Sequence, residues 1–584
     1  MRDHILRAAV FTGAAALTIT ELLSPFHLLE AWPLGLAWLL AVAVWMRFRR
    51  RDPVAWRFRP VETCLAAIAA AIGGVVAWTA ILSPPNSADA MAYHLPRVVY
   101  WAQSGSVAFF PTPYLNQIML QPLAEYFMLH TYVLSGGDRL INLVAFAAYA
   151  GSIVGVSAIA AAFGLNTRSQ AWAALFCATL PNAILQGSGA KNDFLLAFWL
   201  VCAVYFAARR DARWLALSAA LALSTKGTAY LFLPPLLVYA AIVLPRRQLA
   251  WIAGAICILN GPQYVRNVQL SGSPLGFDSA QGNGVFRWRN EHLTWKPAVS
   301  NVLRHFSEQL GARSPRWNQS VYDAVLRIHG GLGIDPESRD TTWPGAHYGP
   351  PVNANHEANA NTRWHLLLIS LAAILAATTR SRLWTLYAAG LLAAFLLFCL
   401  YLKWQPFLAR LELPLFVLGA PLVAFLVDKL RYPAATVLLG LFLANNARPA
   451  LFQNWTRPLK GPHSLAATAR DDNYFRDMGQ WNNRASYVES VDQTARSGCT
   501  DVGLDISENQ LEYPFQALLR ERNPRVHFVH TGVVNASARY APADSPPPCA
   551  VLCPDCIGNQ QKIALYREMG PPIEIGRFLL FLRK

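Results

Sequence analysis

Apolar runs near residues 5–23, 31–47, 62–82, 139–163, 170–186, 192–208, 213–224, 228–244, 249–267, 363–379, 382–401, 407–427 and 432–446 constrain this chain more than any other feature. Most approach the roughly 20 residues a helix needs to cross a bilayer, and a backbone inside hydrocarbon must satisfy its own hydrogen bonds. The expectation is an α-helical polytopic membrane protein with about 13 transmembrane helices. Of its 584 residues, 54% are hydrophobic and only 14% charged, too few charges for a soluble chain of this size. The net charge of +16 does not point to nucleic acid, because the cations sit in short clusters between the runs. Arg47, Arg49, Arg50, Arg51, Arg57 and Arg59 form one cluster, followed by Arg168, by Arg209, Arg210 and Arg213, by Arg246 and Arg247, by Arg380 and Arg382, and by Lys429 and Arg431. Every second loop is basic, which puts the amino terminus in the cytoplasm and the carboxyl terminus outside.

The first run follows Arg2 and Arg7 as a signal peptide would, but no small-residue cleavage site precedes the second run, so it reads as a signal anchor. Three parts emerge. Residues 1–60 are an anchor pair with a basic cytoplasmic loop, residues 61–447 a transmembrane catalytic module with outer loops 83–138 and 268–362, and residues 448–584 an extracytoplasmic α/β domain. Within the first outer loop, Ile118 to Leu134 is apolar but carries Gln121, Glu125 and His130, which predicts an interfacial helix lying along the membrane. In the tail, residues 501–505, 525–529 and 578–582 read as strands around a helical Leu511 to Arg522. Cys64, Cys177, Cys202, Cys257 and Cys399 lie in or beside apolar runs and read as inert core residues. Cys499, Cys549, Cys553 and Cys556 all fall in the exported tail, where two disulfides are expected, although Cys553-Pro554-Asp555-Cys556 alone also has the spacing of a redox pair or half a metal site.

The chemistry concentrates after the third run, in Ser87-Ala88-Asp89-Ala90-Met91-Ala92-Tyr93-His94-Leu95-Pro96-Arg97. Charged and imidazole groups at a membrane exit are costly unless wetted or used. Asp89 is the candidate general base, with an N-cap of the following helix as its structural alternative. Arg97, Lys191, Lys226, Arg266, Lys403 and Arg410 break the positive-inside pattern and gather at the outer face. Together they suit the phosphate of a polyprenyl carrier, which Arg grips bidentately and Lys as a point charge. Tyr93, His94, Asp193, Glu357 and Trp404 are candidates for binding the acceptor or sugar. No close pair of metal ligands appears and no metal site is assigned, although a divalent ion stays open.

These residues resemble those of the GT-C polyprenyl-phosphate-dependent glycosyltransferases, the bacterial group of protein mannosyltransferases and aminoarabinose transferases. The resemblance rests on Asp89 followed by Tyr93-His94-Leu95-Pro96-Arg97, on Gly189-Ala190-Lys191-Asn192-Asp193, on Pro262-Gln263-Tyr264-Val265-Arg266-Asn267 with Gly272-Ser273-Pro274-Leu275-Gly276 after it, and on Arg410-Leu411-Glu412-Leu413-Pro414. It covers roughly residues 60 to 430. It implies inverting transfer of a sugar from a polyprenyl-phosphate donor to an extracytoplasmic glycan, lipid or protein at a bacterial inner membrane. Asp89 is then the base, and Lys191, Arg266, Lys403 and Arg410 contact the donor phosphate. Ala90 stands where protein mannosyltransferases carry the second residue of an Asp-Glu pair. The alternative is a transporter or flippase of polyprenyl-linked sugars, which predicts internal repeats that the sequence does not display.

Overall fold

A computed structural model describes residues 1–48, 59–379, 381–477, 480–507, 510–542 and 546–583. Arg49, Arg50, Arg51, Arg57 and Arg380 of the basic loops lie outside the described residues. The apolar runs are all helical, as Arg2–Leu23, Ala31–Phe48, Pro60–Leu82, Leu143–Ala162, Thr167–Thr179 with Pro181–Gln186, Asp193–Ala208, Ala212–Thr225, Ala229–Phe232 with Pro234–Val243, Arg246–Ser271, Arg363–Thr378, Arg382–Tyr401, Leu413–Asp428 and Pro433–Phe452. Among the described residues, five of these helices are individually long and apolar enough to cross a membrane. The fifth run is split because Pro181 pushes Leu180 out of the helical region, to ψ 118°.

Which helices meet lipid follows from burial. Asp193–Ala208 is apolar on every side and buried on nearly every side, so it is the centre of the bundle. Ala31–Phe48 and Pro433–Phe452 instead expose Leu39 at 69% and Leu438 at 67%, an outward apolar surface that is stable only against hydrocarbon. Cys64 and Cys257 lie on such exposed surfaces, so they are not core residues, whereas Cys177, Cys202 and Cys399 are.

At one end of the bundle, here called the loop face, short elements replace the expected interfacial helix. Ile118 to Leu134 breaks at Leu120–Pro122 into Asn116–Met119 and Leu123–Ser135. Leu123, Glu125, Tyr126 and Met128 are fully buried, so the segment is packed inside protein. The reason is polar. Glu125 faces His94 at 2.6 Å, and His130 is held by Thr20 at 2.9 Å, contacts a membrane surface would not offer.

The tail forms a mixed sheet of β1 (Asp501–Leu504), β2 (His527–His530), β3 (Ala550–Cys553), β4 (Ile573–Ile575) and β5 (Phe578–Leu582), in the order β2-β1-β3-β5-β4. β1 is parallel to β2 and β3, while β5 runs antiparallel to β3 and β4. Helix Tyr513–Arg522 makes the β1 to β2 crossover. Disulfides join Cys499 to Cys549 and Cys553 to Cys556. The domain is fastened to the bundle by buried acids. Glu512 accepts from Tyr100 Oη at 2.7 Å and Gln117 Nε2 at 2.7 Å, and Asp138 accepts from Tyr474 Oη at 2.6 Å and Tyr513 Oη at 3.0 Å.

The Cys499–Cys549 bond closes a segment of 50 residues, so Cys499→Ser with Cys549→Ser should cost the tail domain about 2–4 kcal/mol. Thermal melting with limited proteolysis should show the tail cleaved first. The Cys553–Cys556 bond spans three residues, and its removal should cost much less.

Candidate active site

Asp89 sits at the start of a single π-helical turn, Ala90–His94, which leads into helix Leu95–Ser104. It makes no side-chain cap, so the N-cap alternative fails; the carboxylate turns instead to Arg410, with which it forms an ion pair. Arg410 comes from the 3₁₀ turn Leu408–Arg410. This turn lies inside the apolar run 407–427, and the helix proper begins only at Leu413. π-turns of this kind recur at functional sites because they re-aim neighbouring side chains.

The other charges are arranged in depth. Lys191 Nζ lies 3.8 Å from Asp89 Oδ2 and 3.0 Å from Glu357 Oε1. Glu357 is also paired to Arg457, and both side chains are fully buried. Arg457 further donates to Asn86 Oδ1 at 2.9 Å, Ser188 Oγ at 3.2 Å and the Leu185 carbonyl at 2.8 Å. Lys226 Nζ binds Asp193 Oδ1 at 2.6 Å and Asn192 Oδ1 at 2.9 Å. Arg457, Glu357 and Lys191 are thus the floor of the site, and Asp89, Arg410 and Lys226, each with partly exposed side chains, are its open side.

Electrostatics follow the geometry. Burial works against ionisation of Asp89, but Arg410 and then Lys191 outweigh it and hold the carboxyl well below the usual carboxylate range. Burial likewise opposes ionisation of Glu357, and Arg457 followed by Lys191 reverses the balance. Tyr93, beside the cluster and edge-on to Tyr114 at 5.7 Å, has its phenol pushed well up by burial and then by Asp89, so it stays a neutral donor.

Several expected members lie elsewhere, each drawn off by a nearer acid or ring. Arg97 is buried, donates to the carbonyls of Ile118 at 3.0 Å and Leu120 at 2.9 Å, and stacks on Trp101. His94 turns to Glu125. Arg266 is held bidentately by Glu21, at 2.7 and 2.9 Å. Lys403 pairs with Glu291 at 2.7 Å, and Trp404, 2% exposed, packs on Tyr348 and Arg304, so it offers no face to a sugar. Arg97, Arg266, Lys403 and Trp404, expected at the donor phosphate or the sugar, therefore stand outside the Asp89 cluster, each on partners of its own.

The structure also brings in residues that the sequence reading passed over. Asp477 accepts the Ala88 amide at 2.6 Å and pairs with His356 Nε2 at 2.7 Å, stitching the Asp89 loop to the loop that carries Glu357. Because the Ala358 amide donates to His356 Nδ1, the ring proton lies on Nε2, facing Asp477. Arg457 carries a readable signal, since it is a cation just beyond the last apolar run on the side predicted to be outer. Asp477 carries none.

Two groups among the described residues have metal-like spacing. In Asp505, Cys553 and Cys556 the thiols are joined as a disulfide and cannot ligate as thiolates. His305, Glu308 and Glu412 place one nitrogen and two carboxylate oxygens within 4.8 Å of one another.

Removing Arg457 leaves Glu357 with Lys191 alone, so Arg457→Ala should cost about 3 kcal/mol, seen as a lowered melting temperature. Both Asp89 and Glu357 have depressed folded-state values. Their contribution is therefore fully present above the unfolded carboxylate pKa of about 4 and is lost as pH falls further. Melting temperature should hold from pH 7 to about 5 and drop below about 4, and Asp89→Asn should make that drop shallower.

No protein-family model and no curated protein matches the sequence. Among solved structures, ArnT from Cupriavidus metallidurans in the apo state is similar at a TM-score of 0.50 with 14% identity, over 89% of this chain and 97% of that one. ArnT from the same organism bound to undecaprenyl phosphate gives a TM-score of 0.49 with 13% identity, over 89% and 98%. The chain is a multi-span, mostly helical membrane protein with the fold of ArnT.

Proposed function

We propose that this protein is a GT-C-type glycosyltransferase that moves a sugar from a polyprenyl-phosphate donor to an acceptor outside the cytoplasm, with inversion at the anomeric carbon. The observation that carries the reading is the pairing of Asp89 with Arg410 and Lys191 at the loop face of an ArnT-like bundle. Undecaprenyl phosphate, with which ArnT has been crystallised, belongs to the class of ligand that these charges suit. The loop face is then the outer face of a bacterial inner membrane, in keeping with basic clusters at the other end.

In the ligand-free arrangement Asp89 is a poor base, because its cations favour the ionised form too strongly. A donor phosphate competes for Arg410 and Lys191, and as it draws them off the basicity of Asp89 rises. The acceptor hydroxyl or amine then gives its proton to Asp89 while its oxygen or nitrogen attacks the anomeric carbon from the face opposite the phosphate. The bond from that carbon to the phosphate oxygen breaks. The departing polyprenyl phosphate keeps the electron pair, and its charge is met by Lys191 and Arg410. Among the described residues, Asp193 Oδ2, Gln186 Oε1 and Thr228 Oγ1 are buried oxygens without a hydrogen-bond partner, which suits them to hydroxyl groups of a sugar.

The decisive measurement is mass spectrometry of lipid-linked sugars and exported glycans from cells with the wild-type chain, no chain, or Asp89→Asn. Asp89→Asn should lower transfer by about 10²–10⁴-fold and leave binding of undecaprenyl phosphate intact. Lys191→Ala and Arg410→Ala should weaken that binding about ten-fold or more. Transfer at the wild-type rate in Asp89→Asn, with the lipid-linked sugar relocated only when the chain is deleted, would replace this reading with transport.

A further inference from the structure

Helices Trp295–Gln309 and Pro315–Leu332 make a hairpin on the loop face, and the first of them is amphipathic in the reverse sense of a soluble helix. Its buried residues are Pro297, Ser300, Asn301, Arg304, His305, Ser307 and Gln309, all polar but one. Asn301 Nδ2 is bound to the carbonyls of Cys399 and Leu402, each at 2.8 Å, which fixes the helix across the end of the span Arg382–Tyr401. The apolar stripe points outward. Val302, Leu303, Phe306 and Leu310 face Val321, Ala324, Val325 and Ile328 across an open groove of about 250 Å³. Phe306 and Ile328 are 43% and 45% exposed.

The turn of the hairpin carries the opposite chemistry. Arg363, the first residue of the next span, donates to the Gly311 carbonyl at 3.1 Å, and Trp317 Nε1 donates to the Leu310 carbonyl at 3.0 Å. Gly311 lets the turn lie against the loop before that span, since a Cβ there would collide with the Val352 carbonyl oxygen and Asn361 Nδ2. Arg313 and Arg316 are exposed beside it. Among the described residues, none of Arg313, Arg316 and Arg363 forms an ion pair with a carboxylate. Exposed Trp295, Trp317 and Trp364 surround the hairpin, side chains that favour the interface of a bilayer.

We propose that this hairpin lies in the membrane leaflet at the loop face and binds one anionic phospholipid, with an acyl chain in the groove and the phosphate on Arg313, Arg316 and Arg363. The cationic turn at the end of an apolar groove, directly continuous with a span, has the polarity of an amphiphile. An occupied groove also stiffens the site. Gln309, at the end of the first helix, donates to Glu412 Oε2 at 2.9 Å and accepts from Thr362, and Glu412 lies two residues from Arg410. The lipid site stands independently of the transferase reading, and its test needs no sugar.

The test is photo-crosslinking from a benzophenone amino acid at Ile328, with the full chain in nanodiscs of phosphatidylglycerol or phosphatidylcholine. A phospholipid adduct should form, favoured about five-fold or more in phosphatidylglycerol. Ala324→Trp, which fills the groove, should remove the adduct, and Arg313→Glu with Arg316→Glu should erase the preference while the melting temperature stays unchanged. Equal labelling of both lipids, labelling indifferent to Ala324→Trp, no lipid adduct, or an adduct that goes to added undecaprenyl phosphate instead would each overturn the proposal.

Discussion

The ion network that runs from Arg410 through Asp89, Lys191 and Glu357 to Arg457 is the constraint on which the loop face depends. Charges removed from water are stable only when each has an opposite partner and its remaining hydrogen bonds filled. Arg457 meets that condition with Asn86, Ser188 and Leu185, and so joins the Asp89 loop, the Leu185–Ser188 turn and the Glu357 loop at one point. No single segment can relocate without leaving a buried charge unpaired. This makes a rigid floor, above which Asp89 and Arg410 remain accessible to a ligand that can exchange for one of them.

The same reasoning explains why the tail belongs to the site although it contributes no nucleophile or base. Arg457 and Asp477 lie on the connection between the last span and the sheet domain. The domain itself is tied down by Glu512 and Asp138, each shared between elements hundreds of residues apart. The connection is therefore held at both ends, and its two charged residues are positioned by the bundle and by the domain together. A chain cut after the last span would lose Arg457, and with it the main partner of Glu357.

Lipid as solvent accounts for features that look inverted in a soluble frame. The central helix is apolar on every side, and the peripheral ones turn leucine and isoleucine outward. Helix Trp295–Gln309 buries its polar side because that side completes the carbonyls at the end of a span. Polar backbone groups near the hydrocarbon edge must be satisfied by protein, which is what Asn290 and Asn301 do.

Residue order was enough to predict helices along the apolar runs, the mixed α/β nature of the tail and the gathering of Asp89, Lys191, Lys226, Asp193, Glu357 and Arg410 at one end of the bundle. Hydrophobic run length and loop charge are local properties, and the bilayer reads them locally. Which cations share a site emerged only from the packed chain. Arg97, Arg266 and Lys403 have the same placement in the sequence as Lys191 and Arg410, yet Ile118, Glu21 and Glu291 draw them away. The membership of Asp477 and the inward packing of Ile118 to Leu134 were equally beyond the sequence. Ion pairing depends on a few ångströms between residues hundreds of positions apart, and nothing in residue order encodes that distance.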